Sequence, residues 1–187
     1  IAHLDALDDA ARCVGAVNTV KFSTAGSIGY NTDMPGFAAS VRQGLPGVSK
    51  GRVLQLGAGG GGAATAHALM DLGVHELLVL DSDASRATAL VRQVARQHGT
   101  HRVAVCDDAP SALRSADGLV NATPVGMSSH PGTPLDARAL EPRLWVADIV
   151  YFPLETALLR AARARGCRTL DGSGMAVHQA AAAFEIF

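Results

Sequence analysis

A run of glycines between an apolar stretch and an Ala- and Leu-rich stretch is the first feature of this sequence that could do chemistry. Gly57-Ala58-Gly59-Gly60-Gly61-Gly62 has the spacing G-x-G-x-x-G, and no Lys-Ser or Lys-Thr pair follows it, which excludes a Walker A loop. In this spacing the glycines permit a tight turn, a close approach to a pyrophosphate and close helix–strand packing, and the next helix offers free N–H groups to phosphates. The run predicts a dinucleotide site; a ligand-free glycine-rich turn is the alternative.

An acidic segment, Asp81-Ser82-Asp83, follows the loop by about 20 residues, at the end of the next apolar run. A carboxylate there accepts hydrogen bonds from the ribose hydroxyls of NAD and repels the 2′-phosphate of NADP. No cation follows these acids before Arg86, so the segment favours NAD over NADP. For Asp83, capping of the helix that starts at Ala84 is an equally open interpretation. The residues predicted to contact the cofactor are Gly57, Ala58, Gly59, Gly60, Gly61, Asp81, Asp83 and Arg86.

Strand-like and helix-like stretches alternate from residue 51 onward. The predicted strands are 52–56, 76–81, 102–106, 118–121, 145–150 and 168–170, and the predicted helices are 63–72, 84–98, 111–115, 155–165 and 174–187. This alternation indicates βαβ units, and the apolar strands indicate a sheet covered on both faces. We therefore predict an α/β fold, a Rossmann-type doubly wound parallel sheet. Thr123 lies at its carboxyl edge, where ligands bind, unless it belongs to a plain turn.

The first 50 residues have a different pattern. Residues 13–20 and 28–33 are predicted to form a β-hairpin or strand pair around a polar turn at 23–27. A helix is predicted over 37–43, and the stretch 44–51, which contains glycine and proline, is predicted to be a linker. A domain boundary is therefore expected near residue 50.

The composition argues against several other classes of protein. The chain has 187 residues, 48% of them apolar, with 16 Lys and Arg against 17 Asp and Glu. This is enough apolar material for a sizeable core, and no basic stripe of the kind that nucleic-acid binders carry is present. No apolar run approaches the roughly 18 residues of a membrane-spanning helix. The three cysteines lack metal-ligand spacing and the histidines do not cluster, so we expect no metal site and reduced thiols in a cytoplasmic protein.

Further motifs occur in order over nearly the whole chain. They are Gly15-Ala16-Val17-Asn18-Thr19-Val20, Gly29-Tyr30-Asn31-Thr32-Asp33 with Gly36-Phe37, the glycine run, Asn121-Ala122-Thr123-Pro124 with Gly126-Met127, Asp148 with Tyr151 and Pro153, and Asp171-Gly172-Ser173-Gly174-Met175 with Gln179. Together they resemble the shikimate/quinate dehydrogenase family. The resemblance implies a two-domain oxidoreductase that reversibly oxidises a ring hydroxyl of shikimate or quinate and passes the hydride to a nicotinamide. It also implies that 1–50 are the C-terminal part of an α/β substrate-binding domain, 51–172 a Rossmann NAD-binding domain, and 173–187 a final helix returning to the substrate domain.

The same resemblance assigns roles to individual residues. It implies that Asp33 is catalytic and holds a lysine that exchanges the proton of the reacting hydroxyl. Removing a hydride from an alcohol carbon requires such an acceptor for the alcohol proton. The residues that the resemblance places on the substrate are Asn18, Asp33, Tyr151 and Gln179, and those that it adds to the cofactor site are Thr123, Ile149, Gly172 and Met175.

Each of the substrate-side residues also has a structural interpretation. Asn18 could satisfy backbone groups at a strand end, and Asp33 could cap a helix or form an Asx turn. Tyr151 could pack at a strand end, and Gln179 could be a solvated polar side chain. His178 is tempting as an acid or base, but a lone histidine on an Ala-rich helix is usually structural.

The sequence departs from the family pattern in two places. The family's catalytic lysine, and the hydroxyl residues that bind the substrate carboxylate, belong before Asn18, where this chain has neither; Lys21 and Lys50 do not match. We therefore expect the chain to lack an N-terminal segment and to turn over little or nothing by itself. The acids at 81–83 replace an Asn-Arg-Thr type of run that grips the 2′-phosphate, which resembles the NAD-using members.

Three functions remain open at this level. The first is an NAD-preferring quinate/shikimate dehydrogenase, the second a catalytically silent dinucleotide-binding module, and the third the same fold acting on another cyclic hydroxy acid. The expected partner is a small-molecule substrate, with no nucleic acid and no membrane. A homodimer is one possible assembly.

Overall fold

The computed structural model describes residues 1–187, which form two sheets with helices packed against them. The smaller sheet contains β1 (Ala6–Leu7), β2 (Thr19–Ser23) and β3 (Gly26–Tyr30), in the order β1-β3-β2. β2 and β3 form an antiparallel hairpin, which confirms the predicted strand pair, and β1 joins β3 in parallel. Two helices, α1 (Asp9–Val14) and α2 (Asp33–Gly44), belong to the same part of the chain.

The larger sheet has six strands, all parallel. They are β4 (Arg52–Leu56), β5 (Glu76–Leu80), β6 (Val103–Val105), β7 (Gly118–Asn121), β8 (Trp145–Asp148) and β9 (Arg168–Leu170), in the order β6-β5-β4-β7-β8-β9. The helices between and after them are α3 (Gly60–Asp71), α4 (Ala84–His98), α5 (Ala109–Leu113), α6 (Ala157–Ala164) and α7 (Ser173–Ile186). The order reverses between β4 and β7, as in a Rossmann-type doubly wound sheet, so the predicted fold class is confirmed.

Apolar side chains cover both faces of the larger sheet. On one face Val53, Leu77 and Val79 pack with α2, α3 and α4. On the other face Leu54 and Leu119 pack with α5 and α6. The Ala-rich α3 is buried along most of its length, yet none of the helices is both long and apolar enough to cross a membrane.

The boundaries in the first part of the chain differ from those predicted. The strand expected over 13–20 begins only at Thr19, because Cys13 and Val14 form the end of α1. Neither β1 nor α1 was predicted, although Asp8 accepts a hydrogen bond from Ala11 N (2.7 Å) as the N-cap of α1. The second helix starts at Asp33 instead of 37, since the first helical turn needs no intrahelical N–H partners and tolerates a proline.

The C-terminal helix α7 returns to pack along α2. Gly36 makes the approach close: a Cβ there would lie 2.9 Å from the backbone nitrogen of Gln179. Because α2 precedes the larger sheet and α7 follows it, this helix pair joins the two parts of the molecule. β4 begins at Arg52, and the domain boundary near residue 50 stays a prediction.

Trp145 is the only tryptophan of the chain and lies buried at the start of β8. Its ring occupies the space over Gly118, where a Cβ would come within 2.0 Å of the indole. The indole Nε1 donates a hydrogen bond to the Ser49 carbonyl (2.8 Å). The side chain therefore ties the larger sheet to the 44–51 stretch before it.

Candidate functional site

A cleft runs along the carboxyl edge of the larger sheet, at the point where the strand order reverses. It consists of three cavities of about 420, 560 and 400 Å³ that share wall residues. The first and second share Gly61, Ile149 and Tyr151, and the second and third share Gly59 and Thr123. The three cavities therefore adjoin one another along this edge of the sheet.

The glycine loop lies at the middle of this cleft. Two of its glycines are required by the protein itself: Gly57 has φ +98° and a Cβ there would lie 2.7 Å from the Ala122 carbonyl, while a Cβ on Gly62 would lie 2.4 Å from the Gly57 carbonyl. Gly59 and Gly60 are different, because a Cβ on either would meet no protein atom within 4 Å. The space that a side chain would fill at these two positions is therefore part of the open cleft. This is what the predicted close approach of a pyrophosphate to the backbone requires.

A buried glutamine that sequence reasoning missed holds the loop in shape. Gln55 Nε2 donates to the carbonyls of Gly57 (2.9 Å) and Gly62 (2.7 Å), and its Oε1 accepts from the Thr65 hydroxyl (2.9 Å). The signal was a single polar residue inside an apolar strand. The loop conformation is therefore fixed by side chains from β4 and α3 without any ligand.

Asp81 lies just after β5, in the wall of the third cavity together with Arg86. Its Oδ2 accepts a hydrogen bond from Ala58 N (2.7 Å) and its Oδ1 accepts from Asp83 N (2.9 Å). The carboxylate thus braces the glycine loop as well as facing the cleft. Ala58, whose N–H donates to Asp81, is not in the cavity wall, and its cofactor contact stays a prediction.

Asp83 is also outside the cavity walls. It is the N-cap of α4, where its Oδ1 accepts from Ser85 N (2.9 Å) and from the Ser85 hydroxyl (2.6 Å). These hydrogen bonds, with the nearby Arg86, hold the pKa of Asp83 below its usual value. The capping interpretation of Asp83 therefore describes its position, and its cofactor contact stays a prediction.

A buried polar network supports the wall opposite the glycine loop. Asp148, 2% exposed at the end of β8, accepts hydrogen bonds from Asn121 Nδ2 (2.9 Å), Val150 N (3.0 Å) and the Thr156 hydroxyl (2.8 Å). Burial raises the pKa of Asp148, and these hydrogen bonds offset part of that rise. The Thr123 hydroxyl donates in turn to Asn121 Oδ1 (2.7 Å), so the loops after β7 and β8 are tied together behind the cleft.

The first cavity brings together the residues that the sequence places on the substrate. Its wall contains Asn18, Asp33, Tyr151 and Gln179, together with Gly172, Met175 and Ile149 from the predicted cofactor set. Burial raises the pKa of Asp33, and hydrogen bonding with the Asn18 amide offsets part of that rise. The cavity therefore presents one carboxyl group and two amides beside an apolar floor, which suits a polyol ring.

Neither lysine of the chain reaches this cleft. Lys21 Nζ donates to the Ile186 carbonyl (2.5 Å), near the end of α7, and Lys50 Nζ donates to the Leu72 carbonyl (3.0 Å). His178 interacts with Gln43 Oε1 (3.1 Å) outside the cavity walls, as its structural interpretation predicts.

The expectation that the histidines do not cluster is wrong for one pair. His67 and His98 meet at 3.3 Å between ring nitrogens, and His67 Nδ1 lies 3.2 Å from Cys13 Sγ. Helix packing between α1, α3 and α4 brings these three residues together from distant parts of the sequence, which spacing along the chain cannot reveal. No group of three His, Cys, Asp or Glu side chains in the structure is arranged to hold a metal ion.

Comparison with known proteins places this geometry among dehydrogenases, although no family model matches the chain. The "Shikimate dehydrogenase (NADP(+))" of Streptomyces avermitilis is 54% identical over 189 residues, covering 100% of this chain and 65% of the relative. The protein of the same name from Rhodospirillum rubrum is 42% identical and is covered to 67%, by 99% of this chain. A solved structure, quinate dehydrogenase from Corynebacterium glutamicum in complex with NAD, superposes with a TM-score of 0.92 at 47% identity, over 98% of this chain and 66% of that one. The chain thus spans about two-thirds of the length of the proteins it matches.

Proposed function

The chain belongs to the shikimate/quinate dehydrogenase family, and from this we propose that the whole protein transfers a hydride between a nicotinamide dinucleotide and a ring hydroxyl of shikimate or quinate. The observation that carries the proposal is that the three cavities of the cleft adjoin one another. They lie in a row from Asp81, past the open faces of Gly59 and Gly60, to the cavity of Asp33. A dinucleotide lying along it would bring its nicotinamide to the polyol cavity. A silent binding module is not favoured, because the relatives bear dehydrogenase names.

Within this cleft we assign the adenosine ribose to the Asp81 end. The pyrophosphate would lie against Gly59, Gly60 and the N-terminus of α3, where N–H groups are free. The nicotinamide would lie beside Thr123, Ile149 and Met175, and would supply the hydride acceptor when bound.

We propose that NAD is preferred over NADP. A carboxylate at Asp81 suits two ribose hydroxyls and repels a 2′-phosphate, and the partner cation Arg86 is drawn toward Asp83 (3.5 Å). The relatives include names with NADP and a structure with NAD, so the family alone does not decide the cofactor. The Asp81 carboxylate is the feature of this chain that supports NAD.

On the substrate side, Asp33 is the group that we assign to catalysis. A carboxyl group in a half-buried cavity is placed to hold and tune a proton acceptor for the reacting hydroxyl. Asn18 and Gln179 would hydrogen-bond other ring hydroxyls, and Tyr151 would close the cavity at its more exposed side. No lysine of this chain lies at the site, so we expect the 187 residues alone to bind dinucleotide and to turn over little.

The same proposal covers the remaining organisation of the protein. Residues 1–50 would be the C-terminal part of the substrate domain, 51–172 the dinucleotide domain, and 173–187 the helix that returns to the first. The three cysteines are free thiols, as we would expect of a cytoplasmic enzyme. The homodimer stays a prediction.

Initial rates of the full-length protein test the proposed function. Shikimate and quinate are each supplied with NAD and with NADP, and formation of reduced nicotinamide is followed. We expect oxidation of at least one acid, with about tenfold or greater preference for NAD because of the like-charge penalty at Asp81. No turnover of either acid with either dinucleotide would overturn the proposal, and equal rates with both would overturn only its cofactor preference.

A further inference from the structure

A threonine hydroxyl lies between the two amides of the substrate cavity. Thr32 is 3% exposed and is not in the cavity wall. Its Oγ1 lies 3.0 Å from Asn18 Nδ2 and 3.3 Å from Gln179 Oε1. It therefore touches two cavity residues that are far apart in sequence without facing the cavity itself.

The backbone fixes the direction of this hydrogen-bond chain. The Thr32 N–H can only donate, and it donates to Asn18 Oδ1 (3.0 Å), which also accepts from the Thr19 hydroxyl (3.2 Å). The oxygen end of the Asn18 amide is thereby assigned. Its Nδ2 must then donate to Thr32 Oγ1, since an amide nitrogen has no lone pair to accept with.

The proton of the Thr32 hydroxyl then determines the orientation of the Gln179 amide. The Thr32 O–H has two acceptors within reach, Asn18 Oδ1 (3.2 Å) and Gln179 Oε1 (3.3 Å). Because Asn18 Oδ1 already accepts from the Thr32 N–H and the Thr19 hydroxyl, we assign this proton to Gln179 Oε1. Gln179 Nε2 is left on the opposite side, where it donates to the Ala176 carbonyl (3.2 Å). Each amide nitrogen carries two protons, so each keeps one N–H for Asp33 or for a ligand.

We propose that Thr32 is a positioning residue that orients the Asn18 and Gln179 amides so that both present N–H donors to the hydroxyl oxygens of a polyol ring. The inference rests on the proposed function, which supplies the ring. Without the hydroxyl, Asn18 keeps its orientation through the Thr32 N–H, but its Nδ2 loses an acceptor. The Gln179 amide, whose Oε1 accepts from the Thr32 hydroxyl alone, could rotate and present its carbonyl oxygen next to the Asp33 carboxylate. Acceptors would then crowd a site in which ring oxygens need donors.

The test compares Thr32→Val, which removes the hydroxyl at nearly constant shape, with Thr32→Ser, which keeps it. Thr32→Ala is assayed in parallel, because it removes the hydroxyl without any crowding if the valine variant does not fold. In the full-length protein, binding of shikimate and of quinate is measured by calorimetry in the presence of dinucleotide, and kcat and KM are measured separately. Dinucleotide binding serves as the control for folding.

We expect the valine and alanine variants to bind the preferred acid about tenfold more weakly and to show a raised KM, while dinucleotide affinity stays within about twofold of wild type. The serine variant should recover wild-type values within about twofold. In a Gln179→Leu background, Thr32→Val should cost less than it does in wild type, because part of its effect passes through Gln179.

Unchanged binding in the valine and alanine variants, or a serine variant as weak as they are, would overturn this inference alone. Fully additive effects of Thr32→Val and Gln179→Leu would overturn the Gln179 half of it. A wild-type protein that binds neither acid would overturn the proposed function together with the inference.

Discussion

The surroundings of Asp33 destabilise an ionised carboxylate. Burial disfavours its charged form, and only hydrogen bonding with Asn18 opposes that effect in the pKa of the group. A folded-state pKa above the unfolded one means that the ionised side chain lowers stability at pH values above both. Such a loss of stability is expected where a fold retains a buried ionisable group for function.

Replacing Asp33 by asparagine should therefore have opposite effects on stability and on activity. We expect Asp33→Asn in the full-length protein to lose about a hundredfold or more in kcat, since general acid–base support is removed. Its thermal midpoint at pH 7.5 should rise by about 2 °C, because a neutral amide has no buried charge to desolvate. Thermal unfolding and initial rates check this, with Asp107→Asn, at an exposed aspartate, as the control. A variant that keeps its turnover would remove Asp33 from the catalytic site.

Asp81 braces the glycine loop, and in the proposed function it also selects the cofactor; one pair of variants separates these two roles. Asp81→Asn should reduce the ratio of kcat/KM for NAD over NADP by about tenfold, because the charge that repels a 2′-phosphate is gone. Asp83→Asn, which alters the cap of α4 outside the cavity walls, should change stability little, since asparagine is also a favoured N-cap residue, and leave the ratio near wild type. An unchanged ratio in Asp81→Asn would show that this carboxylate only braces Ala58. A changed ratio in Asp83→Asn would restore Asp83 to the cofactor site.

At the scale of elements, glycines occur where β4 leads into α3 for two different reasons. One is close packing of the backbone, at Gly62, and the other is the room that the proposed pyrophosphate needs, at Gly59. Gly59→Ala places a methyl group in open space, so we expect a thermal midpoint close to wild type and dinucleotide binding about tenfold weaker. Gly62→Ala places its Cβ 2.4 Å from the Gly57 carbonyl, so we expect a loss of about 1–3 kcal/mol in the free energy of unfolding. Denaturant titration and calorimetry with NAD measure both. Equal affinity for NAD in Gly59→Ala would place the pyrophosphate elsewhere.

The six strands of the larger sheet were predicted, most directly β4, β5, β7 and β8, which are short and largely buried apolar runs. The edge strands β6 and β9 are more exposed. The first turns of α2 and α3 could not, since Asp33 to Gly36 and the glycines from Gly60 have poor helix propensity and are held by packing. The short α1 was missed for a different reason. Its end signals, Asp8 and Gly15, were present, but six residues show no clear period.

The candidate site was predictable where a motif carries its own chemistry, as in the glycine loop and Asp81. It was not predictable where a side chain acts through distant partners. Thr32 and Gln179 are 147 residues apart, and Gln55 supports the loop from within a strand. Such roles depend on which helices meet, which a single sequence does not show.

Over the whole molecule, α1 from the first part of the chain packs against α3 and α4 of the larger sheet at the Cys13–His67–His98 contact. His67 is fully buried, and its Nε2 has no hydrogen-bond partner. Burial, with the neighbouring His98, lowers the pKa of His67 to about 4. The folded protein therefore keeps this imidazole neutral where an unfolded chain would protonate it.

This contact should make the protein sensitive to mild acid. Between about pH 6.5 and 4 the unfolded chain binds the His67 proton and the folded chain does not, so the free energy of unfolding should fall with falling pH, by at most about 3 kcal/mol. Above about pH 6.5 this group should contribute no slope. His67→Leu should flatten the dependence between pH 6.5 and 5, whereas His75→Gln, at an exposed histidine, should not. Denaturant titrations across this range measure it, and a slope that survives in His67→Leu would assign the effect to other groups.

The solitary indole of Trp145, sealed over Gly118 and bonded to Ser49, makes the protein its own fluorophore. Its emission reports on a single place, the contact between the parallel sheet and the 44–51 stretch that precedes it. A change in that contact can thus be followed by fluorescence, without a label and without interference from a second tryptophan. Because reduced nicotinamide absorbs where indole emits, quenching of this signal also offers a direct readout of an occupied cleft.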